Sequence, residues 1–288
     1  MSSIINIVSE ETYSQKMSDY NLGLQAFVAS QYVTKIGDYT WMQIQKLVRL
    51  GIAEQLFPIG AQLLSMKNGT NYAYDVIAHN YYRPAESGLS HSMTLLAHDV
   101  YTKNVSIDHT ESSNPDSNRK ADGNNNWKVS NLRQWLNSEA AAGSWYTAQH
   151  TYDSPPGYTF TNTAGFLNGL DSELKSVMGA VYYTSAIPTI DGGGSEQLLD
   201  KVFIPARSEV GLGNTESNVS EGDILPYFKG HPERRYRYLN GAAAHWFLRT
   251  PKTDTSHRSC LVTQSNLLTD IKAREFGNIG LVPMLHIV

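Results

Sequence analysis

The chain reads as an α+β protein built from short antiparallel strands, two main helices and long loops, with a helical extension at its N-terminus. Three observations predict this class. Short apolar runs are scattered from residue 61 to the C-terminus with no repeat period, two capped amphipathic helices stand between them, and polar turn-rich stretches separate them. Near the end, His245–Pro251 and Gly280–Leu285 each bring large apolar residues up to or around a proline, which cannot donate to a sheet and so ends a strand or confines it to an edge.

In chain order, Tyr13, Met17, Tyr20, Leu24 and Phe27 recur at spacings of four, three, four and three, predicting a helix with an apolar seam. The next seam position, Gln31, is polar, and Asn21 and Gly23 lower helix propensity, so the stripe is too short for a free-standing coiled coil. Residues 1–38 are therefore expected to be an attachment or oligomerisation segment, and 39–288 a separate domain. Thr40-Trp41-Met42-Gln43 matches a capping box, and the helix it starts carries Ile44, Leu47 and Val48 on one face before Gly51. Ala61–Met66 and Asn71–Ala78 flank Asn68-Gly69, a pair that tolerates positive φ and predicts a hairpin. Met93–Ala97 reads as a further strand.

Residues 103–126 hold turn after turn, as in Ser112–Asn118 and Asp122–Asn126, and predict a long surface loop. Ser130 caps a helix expected over Asn131–Ala142, with Leu132, Trp135, Leu136 and Ala140 on one face. Asp171 or Ser172 caps a second with Leu170, Leu174, Val177 and Met178 inward. Ala180–Thr184, Val202–Ile204, Trp246–Leu248, Leu261–Val262 and Met284–Ile287 are the remaining strands.

Composition excludes several classes. With 288 residues the chain can bury roughly 75% of its unfolded surface. Cys260 is alone, so there is no intrachain disulfide and no multi-cysteine zinc site. The formal charge of −4 offers no basic surplus for nucleic acid. No apolar window is long enough to span a membrane, and Met1–Ile5 runs into Glu10-Glu11 without a signal-peptide pattern, so a product made in the host cytoplasm is expected. Seventeen tyrosines among many Asn, Ser and Thr suit a contact surface as well as a β-rich core.

Local catalytic and metal motifs are missing. The nine histidines form no His-Glu-x-x-His or His-x-His pair, Gly192–Ser195 lacks nucleophile-elbow spacing, and Gly211–Asn214 lacks the third glycine of a dinucleotide loop. The oxygen-rich loop lacks EF-hand spacing and the calcium-binding triplets of sugar-binding lectins, so neither metal nor cofactor is expected. His231–Arg237, the one dense basic cluster, is expected to be a solvated loop or an inter-subunit contact.

The Trp246-Phe247-Leu248-Arg249-Thr250-Pro251 block and the closing Gly280–Leu285 strand, with Ser130–Ser138, Gly165–Leu170, Asp200–Pro205 and Ser208–Gly211 upstream, carry a resemblance. They resemble a family of uncharacterised domains frequent in bacteriophages and gut-bacterial genomes, whose usual form is Trp-x-Leu-Arg-Ser-Pro followed by Gly-Val-Arg-Pro-Ala. Val282 stands where that form has arginine. The family is similar to the C-type-lectin-like fold of phage tropism proteins and formylglycine-generating enzymes, and the resemblance covers Trp41 to Val288. The enzyme branch works with paired cysteines, which this chain lacks.

The resemblance implies a C-type-lectin-like virion protein without enzymatic activity: a head fibre, capsid decoration or tail-tip protein. Its partners would be capsid or tail proteins, further copies of itself, and a host-surface glycan or protein. The alternative is a glycan-acting hydrolase with a carboxylate pair drawn from the loops. The polar stretch from Thr253 to Arg274 is expected to form the exposed face, with His257, Arg258, Gln264, Asn266 and Arg274 binding ligand without a metal. An apolar stripe that its own domain leaves uncovered is buried by assembly. Deleting residues 1–38 is accordingly expected to leave a folded domain that sediments as a monomer; an unchanged oligomer would refute this.

Overall fold

In the computed structural model the described residues are 39–263 and 268–288; the stripe of Tyr13, Met17, Tyr20, Leu24 and Phe27 lies outside them, as do Gln264 and Asn266. The first described helix, Trp41–Arg49 (α1), has the expected capping box. The Gln43 amide donates to Thr40 Oγ1 at 3.3 Å, and the Thr40 amide donates to Gln43 Oε1 at 2.9 Å. Its buried face is Trp41, Ile44, Leu47 and Val48, and Gln45 and Arg49 on its other side donate to the Val288 carbonyl at 2.8 and 3.2 Å. The two ends of the described chain are thus tied together.

Asn68 and Gly69 take left-handed backbone, φ 49° and 77°, so Gln62–Lys67 (β1) folds back on Thr70–His79 (β2). Arg83–Pro84 (β3) and Met93–Ala97 (β4) follow. Four short helices come next: Ser117–Asp122 (α2), Asn131–Leu136 (α3), the single turn Tyr158–Thr161, and Ser172–Val177 (α4). The later strands are Val181–Ala186 (β5), Ser195–Asp200 (β6), Val202–Phe203 (β7), Arg237–Leu239 (β8), Ala242–Ala244 (β9), Trp246–Pro251 (β10), Arg258–Val262 (β11), Leu268–Lys272 (β12) and Met284–Ile287 (β13).

They form a five-stranded sheet in the order β1-β2-β4-β13-β7, two three-stranded sheets, β3-β5-β6 and β10-β11-β12, and the hairpin β8-β9, with every ladder antiparallel. The architecture is mixed α/β with few helices. β13, the last strand, sits between β4 and β7 and is buried at every residue.

Three expectations need correction. The helix predicted over Asn131–Ala142 stops at Leu136, because the Asn137 side chain turns outward to the backbone of β7. It donates to the Val202 carbonyl at 2.8 Å and accepts from the Lys201 and Val202 amides. Residues 103–126 are not a surface loop: Val105, Ile107, Asn114, Arg119, Asp122, Asn124, Asn125 and Asn126 are buried. Several polar residues stay dry there because they are bonded, and Asn125 Nδ2 by itself faces the carbonyls of Lys252, Thr255 and Arg258 at 2.8–3.2 Å. The single strand expected at Leu261–Val262 is longer, Arg258–Val262, and is paired with a further strand at Leu268–Lys272 that the sequence did not signal.

The core contains one dense ionic knot. Arg249 on β10 is fully buried and donates from both terminal nitrogens to Glu209, Nη1 to Oε2 at 2.7 Å and Nη2 to Oε1 at 2.8 Å. It also donates to the carbonyls of Ile204, Thr184 and Glu221, and its guanidinium lies over the rings of Tyr183 and Phe203. Glu221 approaches Arg249 Nε to 3.8 Å and accepts from the Thr250 hydroxyl and the Ala186 amide. Burial raises the Glu221 pKa against the pull of Arg249. Phe203 continues the stack, 3.9 Å from Tyr183 and 4.7 Å from His286 between ring centroids.

Trp246 is completely buried and its indole nitrogen donates to the Arg235 carbonyl at 3.0 Å. Trp246→Ala is expected to lose ~3–5 kcal/mol of stability, read by denaturant unfolding. His286 is also fully buried, and burial, aided by Arg249, pushes its pKa down to about 3. The folded state keeps it neutral while the unfolded chain takes up a proton below about pH 6.5. Stability from this group is therefore full above that pH and lost on acidification towards 3, by ~1.4 kcal/mol per unit within the window. Between pH 7 and 5 the wild type should lose about 2 kcal/mol more than His286→Phe, measured on both proteins side by side so that other titrating groups cancel.

Candidate functional site

Residues 105–111 build a site from a segment that is buried except at two positions. Val105 and Ile107 enter the core, Asp108 and Glu111 are buried, and His109 and Thr110 are half-buried. The Asp108 amide donates to the Ala273 carbonyl at 3.1 Å and the Ile107 carbonyl accepts from the Leu132 amide at 3.0 Å, fixing the segment between the β12 exit and α3. Gly123 lets it pass. With φ 81°, a Cβ there would stand 2.9 Å from the His109 carbonyl oxygen.

The result is a groove of about 290 Å³ lined by Ser106, His109, Thr110, Gly157, Thr159, Arg274 and Phe276. Phe276 is 39% exposed, a large ring at the rim with one face in water. The Arg274 side chain is 47% exposed and is anchored by Nε to Asp122 Oδ1 at 3.0 Å, leaving the rest of the guanidinium at the groove. Burial, with Arg274 nearby, lowers the His109 pKa, so the imidazole is neutral near pH 7. Hydroxyls, a neutral imidazole, a guanidinium and an exposed ring suit a neutral or weakly acidic polyhydroxylated ligand.

Of the residues singled out from sequence, Arg274 is in this groove. His257 lies behind it, with Nε2 3.9 Å from Asp122 Oδ2 and its pKa lowered by burial. Asp122 is thus shared by Arg274, His257 and Lys272, the last at 3.1 Å. Arg258 stands apart on β11, paired with Asp270 on β12. Among the described residues, then, the predicted set does not converge on one point, and its cations are engaged by acids of the same face. The basic run from His231 is divided: His231 and Glu233 are exposed, while its arginines are drawn onto interior acceptors. Arg237 is buried against Asp75 and the His98 carbonyl, while Arg234 and Arg235 donate to the carbonyls of Tyr227, Val210 and Gly211.

Sequence reasoning missed what lies beneath the groove. Asp108, Glu111 and His150 bring one ligand atom each to within 4.8 Å of one another. Asp108 and Glu111 are only three residues apart, but His150 comes from a distant loop, and no spacing rule signals that encounter. Burial and the neighbouring acids Asp153 and Glu111 raise the Asp108 pKa. That of Glu111 is lowered, its bonds to His150 and Asn114 prevailing over burial. A second cavity of about 330 Å³ contains Lys67, Tyr72, Tyr101 and Trp135. Burial takes the Lys67 amine down to about 8, but it is occupied by the carbonyls of Phe166 and Asn168.

Residues 91–287, well over half of the chain, match the family described as a domain of unknown function, DUF6273. The chain belongs to this family. No curated protein and no solved structure matches it. The DUF6273 match takes in the groove, the buried Asp108–Glu111–His150 set and the Arg249 knot, and leaves α1 and the β1-β2 hairpin outside. Nothing in the family description links it to bacteriophages or to a lectin-like fold.

Proposed function

We propose that this DUF6273 protein is a non-enzymatic virion protein, a head fibre, capsid decoration or tail-tip protein. In this reading a C-type-lectin-like domain presents the groove between His109 and Phe276 to a host-surface glycan. Residues 1–38 join it to capsid or tail partners and to further copies of itself. The observation that carries the reading is the half-exposed Phe276 ring beside Arg274 and three hydroxyl-bearing side chains, since sugars are held by an aromatic face together with fixed hydrogen-bonding groups. Short antiparallel strands, few helices and long ordered loops agree with the lectin-like part of the reading.

A glycan hydrolase is the weaker alternative for a geometric reason. The carboxylates beneath the groove, Asp108 and Glu111, are 1% and 0% exposed, so a sugar ring cannot reach between them as two-carboxylate hydrolysis demands.

Immobilised cell-wall polysaccharide of a candidate host should retain the protein. Phe276→Ala and Arg274→Ala should each weaken retention at least about tenfold, the size of one lost ring or charge contact, while leaving the circular-dichroism spectrum unchanged. Equal retention of both variants would remove the groove from the reading, and release of new reducing ends from the polysaccharide would favour the hydrolase.

A further inference from the structure

The structure assigns a divalent transition-metal site of the zinc class to Asp108, Glu111 and His150, buried beneath the groove and independent of the glycan reading above. The three ligand atoms lie within 4.8 Å of one another. Ligands of a tetrahedral zinc at ~2.1 Å stand about 3.4 Å apart, so a pair at the 4.8 Å limit closes with a shift of up to about 0.7 Å per side chain. One imidazole with two carboxylates is a mixed nitrogen and oxygen set, which favours zinc over the all-oxygen preference of calcium or magnesium.

A second observation points to a missing cation. Asp108 is 1% exposed, and neither of its carboxylate oxygens completes a hydrogen bond, although the His109 and Asn131 amides approach it. Glu111 Oε1 and His150 Nε2 stand 3.0 Å apart as an ion pair within the same set. A buried carboxylate without a completed hydrogen bond, set beside a second acid and an imidazole, is arranged for a common centre.

The outer contacts also fit. Asn114 donates to the other Glu111 oxygen, holding that carboxylate in orientation. Asp153, whose charge reaches both Asp108 and His150, is itself held by the Asn131 side chain at 3.1 Å and the Gln149 amide at 2.7 Å. Three carboxylates surround one imidazole, with Arg119 the further cation whose charge reaches His150, and a dication would take the place of the proton that burial favours on Asp108. His150 is 21% exposed on its side chain, which leaves an entry route. Bound there, the ion clamps the 105–126 segment to the 144–157 loop and so fixes the groove floor.

The test uses full-length protein dialysed against chelator and then against metal-free buffer, titrated with Zn²⁺ alone and, separately, with Ca²⁺ alone. One Zn²⁺ should bind per chain ahead of any weaker surface sites, with a rise in the thermal midpoint that chelator reverses. Ca²⁺ should bind at least about a hundredfold more weakly. Asp108→Asn, which preserves shape, and His150→Gln, at the accessible edge, should each cut Zn²⁺ affinity at least about tenfold, the cost of losing one ligand. Should Asp108→Asn not fold, His150→Gln decides alone. No saturable Zn²⁺ binding below millimolar, or wild-type binding by a folded variant, would overturn the assignment. Glycan retention that fails while Zn²⁺ binding persists would strike only the groove reading.

Discussion

The fold turns on Arg249. A fully buried guanidinium survives only if its charge and its donors are met inside the protein, and here Glu209 takes the charge while three backbone carbonyls take further donors. Those partners come from different parts of the chain. Thr184 is in β5 of one sheet, Ile204 follows β7 of the five-stranded sheet, and Arg249 itself is on β10 of the third. One side chain therefore sets the mutual placement of three sheets that share no ladder. Removing one member of such a pair costs ~3–5 kcal/mol, because the other is left charged in a dry place. Tyr82 adds to it, donating to Glu209 Oε1 at 2.7 Å. His286 bears its consequence, being held neutral in the ring stack beside it.

Much of the rest of the molecule is ordered in the same manner, by buried polar side chains answering backbone groups where regular ladders are short. Asn125 fastens the 123–126 turn to the strands around 252–258, Asn137 fastens α3 to β7, and Asp75 gathers Arg237, His98 and Tyr227. This explains why a stretch as rich in Asn, Asp and Ser as 103–126 is buried. In water such residues make turns; against a strand edge they satisfy carbonyls and amides that nothing else reaches. The groove inherits its rigidity from that network, since its floor is the segment the network pins and Arg274 is moored to Asp122, whose backbone closes α2.

The sequence by itself determined the elements whose signals are local. The capping box at Thr40, the Asn68-Gly69 hairpin, the Asp171 cap and the apolar strand at Met284–Ile287 depend on neighbouring residues alone, and each forms where the pattern puts it. So too the Trp-Phe-Leu-Arg-Thr-Pro block marked a core strand, although nothing local said that its arginine would be interior. Only the tertiary structure decided the rest. It chose Glu209 as the partner of Arg249 across forty residues of chain, ended α3 early by giving Asn137 a strand to bind, turned Arg237 of the basic run inward to Asp75, and brought His150 to Asp108 and Glu111. The physical reason is common to all four. A charged or amide side chain carries no preference strong enough to fix its own environment. Its position is set by which unsatisfied groups the packed elements leave facing it, and that is known only once the chain has closed.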